Sequence, residues 1–203
     1  MTPANLLAKY PLISDQVNRD QLSVILDELK EALARTDGAV VEFGCYVGTT
    51  SLFIRRLLDA QNDNREFHVY DSFEGLPPKT AADESSAGDQ FQAGELAVSK
   101  KQFLLAFQKA GLRPPTVHKG WFKDMTPADV PDQIAFAFLD GDFYESIRDS
   151  LRLVLPRMQA GSIIVIDDYA REALPGAARA VRELLPNVDV VSTQNLGVIR
   201  HYN

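Results

Sequence analysis

The chain of 203 residues holds one cysteine and three histidines, and its basic residues are outnumbered by its acidic ones, 21 to 28, for a net charge of −7. A lone Cys45 excludes an internal disulfide and any CxxC zinc or redox site, and it fits a reducing cytoplasm. Nowhere does the chain reach the roughly 18 uncharged apolar residues of a spanning helix. The stretch from Met1 to Asp15 contains Lys9 and no continuous apolar run, so it does not read as an export leader. The acid excess argues against binding a phosphate backbone. Neither nucleic acid nor membrane is therefore expected as a partner. Internal repeats and low-complexity tracts are also missing. What is present, 45% hydrophobic and 24% charged residues, is an ordinary globular composition. It excludes disordered, collagen-like and small disulfide-stapled proteins, and it predicts one domain over residues 1–203.

Apolar residues at Leu22, Ile25, Leu26, Leu29 and Leu33 predict an amphipathic helix over Asp20 to Leu33, within a helical region covering residues 1–36. Asp37-Gly38 ends it, and Ala39 to Phe43 reads as a short buried strand closed by Gly44. A helix follows from Thr49 to Leu58, with Thr49, Thr50 or Ser51 as candidate caps. The unit then repeats. Glu66 to Asp71, Thr116 to Lys119, Ile134 to Leu139 and Ser162 to Ile166 read as strands, and Ser99 to Ala110 and Phe143 to Met158 as helices. Pro175 suits the first turn of a further helix. Val188 to Val191 and Gly197 to His201 predict a terminal hairpin around Thr193-Gln194-Asn195. Alternating strands and helices imply an α/β fold with a mostly parallel sheet and helices on both faces. Residues 74–98 lack either periodicity and are rich in Pro, Gly, Ser and acid, which predicts a lid-like or disordered insert.

In parallel sheets ligands bind beyond the carboxyl ends of the strands. Gly44, Asp71, Asp140, Asp167 and Asp168 all fall at such ends. The loop from Gly44 to Gly48 lets the chain turn without a Cβ and leaves room for a ligand against the main chain. It has Tyr46 where a dinucleotide loop of the G-x-G-x-x-G kind needs its second glycine, which disfavours NAD. Asp71, after the second strand, suits a ribose diol. Asp140, Asp167 and Asp168 concentrate negative charge on two neighbouring strand ends, a costly arrangement without a cation, and a hard ion such as Mg²⁺ is the natural occupant. Asp142-Phe143-Tyr144-Glu145 has the spacing of a capping box, so Asp142 reads equally as a helix cap or a catalytic acid. His68 reads as a core residue with no metal-ligand spacing to His118 or His201. Cys45 reads as a small packed side chain. Trp121-Phe122 reads either as an adenine wall or as core.

Several phrases in order, Val41-Glu42-Phe43-Gly44, Tyr70-Asp71-Ser72-Phe73-Glu74-Gly75-Leu76-Pro77, Gly94-Glu95-Leu96-Ala97-Val98-Ser99, Gly120-Trp121-Phe122-Lys123-Asp124, Leu139-Asp140-Gly141-Asp142-Phe143-Tyr144-Glu145-Ser146 and Ile166-Asp167-Asp168-Tyr169, resemble the macrocin O-methyltransferase family (TylF/MycF type). The resemblance runs from about Val41 to Tyr169. It implies a Rossmann-like class I methyltransferase fold with a seven-stranded sheet and a C-terminal antiparallel hairpin. It further implies S-adenosylmethionine as donor, a divalent metal, usually Mg²⁺, and a small-molecule hydroxyl acceptor on a sugar or related natural product. It puts the donor's amino-acid end near Glu42, Gly44 and Thr50-Ser51, its ribose on Asp71, and its adenine near Ser72 and Gly120-Trp121. Metal-dependent catechol methyltransferases are similar at Asp140, Asp167 and Asp168, but their base lysine is replaced here by Phe143. The alternatives are a catechol or phenol methyltransferase, an NAD-binding oxidoreductase and a non-catalytic adenosyl-ligand binder. Asp140 and Asp142 are the candidate catalytic residues. A homo-oligomer remains open.

Overall fold

A computed structural model describes residues 1–201 of the chain. A short helix α1 (Pro3–Lys9) and a long α2 (Arg19–Arg35) precede the first strand, β1 (Ala39–Phe43). The alternation that follows runs α3 (Thr49–Ala60), β2 (Phe67–Asp71), α4 (Lys100–Ala110), β3 (Thr116–Lys119), β4 (Ile134–Leu139), α5 (Tyr144–Val154), β5 (Met158–Ile166) and α6 (Gly176–Leu184). Strands β6 (Val191–Thr193) and β7 (Leu196–His201) follow. The seven strands form one sheet in the order β3-β2-β1-β4-β5-β7-β6. The first five are parallel, and β7 is antiparallel to both its neighbours.

Strand order reverses at β1, which has β2 on one side and β4 on the other. At such a reversal the crossovers leave on opposite faces and a crevice opens beyond the strand ends. Side-chain alternation supplies the two cores that hold it open. Phe136 and Phe138 of β4 pack with Val40, Leu26, Leu57 and Phe103 on the layer of α2, α3 and α4. Ala137 and Leu139 pack with Val41, Phe43, Ile147 and Val181 on the layer of α5 and α6. All six residues of β4 are buried, as a central strand between two helical layers must be. Helix α2 begins with a capping box of Asn18 and Gln21 and buries Leu22, Ile25, Leu26 and Leu29. Each such burial contributes about 1.5–3 kcal/mol.

Several boundaries move from those the sequence predicts. The short α1 carries no periodic signal long enough to read and is held by burial of Leu6 and Leu7. Helix α5 stops at Val154 because Pro156 follows, and a 3-10 turn covers Leu155–Arg157. Strand β5 begins at Met158, before Gly161, which lies within the strand at φ +91 where the register with β4 shifts. The glycine thus marks an irregularity inside the strand. The first hairpin strand lies at Val191–Thr193 rather than Val188 to Val191.

The 74–98 insert is tied down. Leu76 bonds through its backbone to Glu95 and Gly94 at 2.9 Å each, closing the two ends of the segment. A 3-10 turn at Ala81–Asp83 is capped by Thr80. Buried Asp83 accepts the Thr80 N–H and hydroxyl on one oxygen and the N–H of Tyr144 on the other, at 2.6 Å. The insert itself therefore caps α5. This corrects the Asp142–Glu145 capping box: α5 starts at Tyr144, and its N-cap residue Phe143 makes no side-chain bond. Arg179 donates to the Ala82 carbonyl and Ser85 to that of Glu172 at 2.6 Å, fastening the same segment to α6 and the loop before it.

Two outcomes follow from this geometry. Gly44, at φ +86, has no room for a side chain, since a Cβ would stand 1.8 Å from the Asp140 carbonyl oxygen. Gly44→Ala is expected to lower stability by about 2–3 kcal/mol, read as a shift in the denaturant midpoint. Asp83→Ala is expected to cost about 1–2 kcal/mol and to open residues 74–98 to limited proteolysis. A segment that stays uncut in that variant would mean its other ties suffice.

Candidate active site

The rim of the crevice is built by hydrogen bonds that carry the sheet one step past its ladder. Gly44 N–H reaches the Tyr70 carbonyl at 2.9 Å, Asp140 N–H that of Phe43 at 2.8 Å, and Asp167 N–H that of Leu139 at 2.9 Å. The loop from Gly44 to Gly48 then turns through three left-handed residues, Gly44, Tyr46 and Gly48. Asp71 clamps it. One carboxylate oxygen accepts the Cys45 N–H at 2.8 Å and the other the Phe73 N–H at 2.7 Å. Each oxygen keeps acceptor capacity for a ligand.

Behind the loop, the hydroxyl of Ser51 donates to the buried Glu42 carboxyl, and that of Thr49 is hydrogen-bonded to Ser14 at 2.7 Å. Helix α3 therefore has Gly48 as its N-cap with no side-chain cap, which corrects the expectation that Thr49, Thr50 or Ser51 serves there. Burial pushes the Glu42 pKa up to about 8, Asp71 adds to the rise, and the Ser51 bond opposes it. Burial also raises the Cys45 thiol, with the negative charge of Asp71 adding to it, so Cys45 is a packed thiol rather than a nucleophile.

A cavity of about 520 Å³ opens in front of this loop. Of the residues predicted for the site, Gly44, Asp71, Ser72, Trp121, Asp140, Asp142, Asp167 and Asp168 line it. Glu42, Gly48, Thr50, Ser51 and Gly120 do not. Glu42, Thr50 and Ser51 are buried, and Gly120 supports the wall by donating its N–H to the Asp71 carbonyl at 2.9 Å. Phe122 has both predicted roles, lining the cavity and packing edge-on against Phe43 at 5.2 Å. The wall includes Leu96 and residues no sequence pattern singled out: Gln16, Lys79, Phe91 and Arg171. Left-handed non-glycine residues gather here too, at Tyr46, Phe91, Leu96, Asp142 and Asp168. Such conformations are costly and cluster where surrounding structure fixes them.

Four carboxylates crowd one side of the cavity. Burial first and mutual repulsion second push Asp140 and Asp142 well above the usual carboxylate range. Asp167 and Asp168 are raised by burial as well, and Arg171 opposes the rise at both. The three predicted metal residues are nevertheless not drawn together on one point. Among the described residues, no group of three or more His, Cys, Asp or Glu side chains is arranged to hold a metal ion. Of the three residues predicted for a metal, Asp167 and Asp168 are engaged by partners of their own. Asp168 is ion-paired to Arg171 at 3.1 Å. Asp167 accepts the backbone N–H of Asp168 at 2.8 Å and the Gln21 amide at 3.3 Å. The Gln21 contact comes from 146 positions away and has no sequence signal.

His68, read from the sequence as a core residue, is partly buried and hydrogen-bonded. Its Nδ1 meets Nε2 of His118 at 3.0 Å, and its Nε2 meets Glu66 at 3.1 Å, because β2 and β3 pair in register. This pair lies outside the cavity wall. The side chain of His201 is outside the described residues.

A family model described as Macrocin-O-methyltransferase (TylF) matches residues 14–193. The chain belongs to this family. It is 38% identical over 152 residues to the 8-demethyl-8-(2,3-dimethoxy-alpha-L-rhamnosyl)-tetracenomycin-C 4'-O-methyltransferase of Streptomyces olivaceus, covering 71% of this chain and 58% of that protein. It is 32% identical over 154 residues to the mycinamicin III 3''-O-methyltransferase of Micromonospora griseorubida, covering 72% and 59% respectively. The chain thus spans about 60% of the length of these curated family members. The O-methyltransferase NovP superposes with a TM-score of 0.78 over 92% of this chain and 82% of its own, at 24% identity. The fold is that of the class I methyltransferases, as the family resemblance implies. No helix among the described residues is long and apolar enough to cross a membrane.

Glu42 supplies a pH test of this family member. Between pH 4.5 and about 8 the folded protein holds a proton that the unfolded chain has released, so Glu42 lowers stability progressively as pH rises through that window. In ligand-free protein, the melting temperature of Glu42→Gln relative to wild type is expected to rise from about pH 5 to about pH 8. A difference independent of pH would mean that Glu42 is ionised throughout.

Proposed function

We propose that the chain is an S-adenosylmethionine-dependent O-methyltransferase acting on a hydroxyl of a sugar or related natural product, in the cytoplasm. The observation that carries this reading is the glycine loop clamped by Asp71 at the strand-order reversal, in a chain of this family. Asp71 has acceptor capacity to spare for a ribose diol. Trp121 and Ser72, both on the cavity wall, would contact the adenine, with Gly120 preceding Trp121 in the chain. Gly44 lets the donor lie against the main chain, and Gly48, Thr50, Ser51 and Glu42, behind the loop, are the proposed surroundings of its amino-acid end. An ammonium there favours ionised Glu42 and lowers its raised pKa.

Methyl transfer from a sulfonium to an oxygen requires an acceptor oxygen aligned behind the methyl group and a place for its proton. Asp142 is the proposed base. It is 9% exposed, faces the cavity and has no hydrogen-bond donor among the described residues. Burial, with the negative charge of Asp168 and Asp167 added, raises its proton affinity in the direction a proton acceptor needs. A lysine base is unavailable, since Phe143 stands in that position and its ring lies 5.5 Å from Lys79 Nζ. Phe91 and Leu96, on the tethered insert, close the cavity and exclude water from the reacting atoms.

The donor set fits a hard divalent cation such as Mg²⁺. Every candidate ligand is a carboxylate oxygen, and Asp140 and Asp142 have no hydrogen-bond donor among the described residues to offset their burial. Asp140, Asp167 and Asp168 would hold it once Asp168 is released from Arg171. Bound there, the ion would lower the pKa of a neighbouring acceptor hydroxyl and orient it.

Calorimetry with S-adenosylmethionine and S-adenosylhomocysteine tests the donor. Both are expected to bind, and Asp71→Ala is expected to weaken them at least about tenfold, ~1.4 kcal/mol. Binding of neither would overturn the reading. Asp140→Ala is expected to keep donor binding and to abolish chelator-sensitive turnover of a sugar acceptor. Turnover of vicinal phenols while sugars stay inert would move the acceptor to the catechol class.

A further inference from the structure

Among the described residues, Arg171 is the one cation paired directly with the acid cluster. The turn that follows β5 sets its position: Asp168 is left-handed at φ 53, and the Arg171 N–H bonds to the Asp168 carbonyl at 3.1 Å. This folds the guanidinium back onto the Asp168 carboxylate, again at 3.1 Å. The pair is unequal in exposure, with 7% of the Asp168 side chain accessible against 40% of the Arg171 side chain. The carboxylate is thus locked in the wall, and the guanidinium reaches it from the solvent side. Lys79, another cation of the same wall, is engaged by Asp89 at 2.5 Å.

We propose that Arg171 is the built-in counter-ion of this cluster: its guanidinium holds Asp168 where a divalent cation would bind, so that arginine and metal compete for one carboxylate. The inference rests on the metal reading above. A guanidinium keeps its charge at any working pH and binds carboxylate in a fixed planar geometry, so it offsets the buried acids without a metal. It cannot, however, draw in oxygens from several directions as a hard cation does. That accounts for a protein whose carboxylates are close enough to repel one another yet converge on no single point. Because Arg171 is two-fifths exposed, its head can swing into water when metal arrives while its stem stays against the wall. The arrangement keeps the metal-free site folded, and it sets metal affinity below what the carboxylates alone would give.

Titration of metal-free protein with Mg²⁺ by calorimetry, without donor or acceptor, tests the competition. Arg171→Gln is expected to bind Mg²⁺ about tenfold more tightly than wild type, ~1.4 kcal/mol, and Arg171→Lys to resemble wild type. In excess chelator Arg171→Gln is expected to melt below wild type, and Mg²⁺ is expected to restore it. Crystals grown with Mg²⁺ are expected to have the Arg171–Asp168 contact broken. Equal affinities of wild type and Arg171→Gln, or a bound ion beside an intact contact, would overturn the role of Arg171 and leave the metal reading standing. Absence of binding by both proteins, with both still folded by circular dichroism, would overturn the metal reading and this inference together.

Discussion

Holding four carboxylates at the tips of two adjacent parallel strands is the constraint around which the rest of this molecule is arranged. Asp140 and Asp142 follow β4, and Asp167 and Asp168 follow β5, so pairing of those strands forces like charges together. Burial compounds the repulsion. The offsets come from one distant residue and two local ones: the Gln21 amide at the start of α2, the Asp168 backbone N–H next to Asp167, and the Arg171 guanidinium three residues after Asp168. Two of the four acids sit in left-handed backbone conformations that non-glycine residues seldom adopt. A protein selected only for stability would place neutral groups at these tips. The acids at the rim are the basis of the role proposed for them.

The same rim organises the donor side by a different device. Asp71 ties two loops through main-chain N–H groups, so a single side chain sets both the glycine turn after β1 and the turn after β2. Gly44 leaves no room for a side chain against the Asp140 carbonyl just past β4. The insert between β2 and α4 closes the cavity while taking over a structural duty, since Asp83 satisfies the open N-terminus of α5. Coupling the lid to a helix end adjacent to Asp142 means that the lid and the proposed base share one support.

Much of this was legible in the sequence because it depends on local order. The continuous apolar run Ile134 to Leu139 announces a strand buried on both faces, and the acids that stop it and the next strand fall at the crevice because parallel topology leaves them no other rim. The glycine loop and Asp71 are legible for the same reason. Boundaries fail where two local signals conflict. Gly161 reads as a turn, but pairing with β4 draws the chain before it into the strand. Asp142 and Glu145 have the spacing of a capping box, but α5 takes Phe143 as its N-cap residue, and Asp83 from another part of the chain accepts the first helical N–H.

The sequence by itself determined the α/β alternation, the strand ends that carry the site and the chemical type of each side chain there. Only the tertiary structure decided which partners those side chains have. Gln21 meets Asp167, Asp83 meets Tyr144, and His68 meets His118 across separations that no periodicity encodes. The state of a buried carboxylate depends on what lies within a few ångströms of it, because in a low-dielectric surrounding a single guanidinium or amide outweighs the summed charge of the whole chain. For that reason the acids could be located from the sequence, whereas their pairing with Arg171 could not.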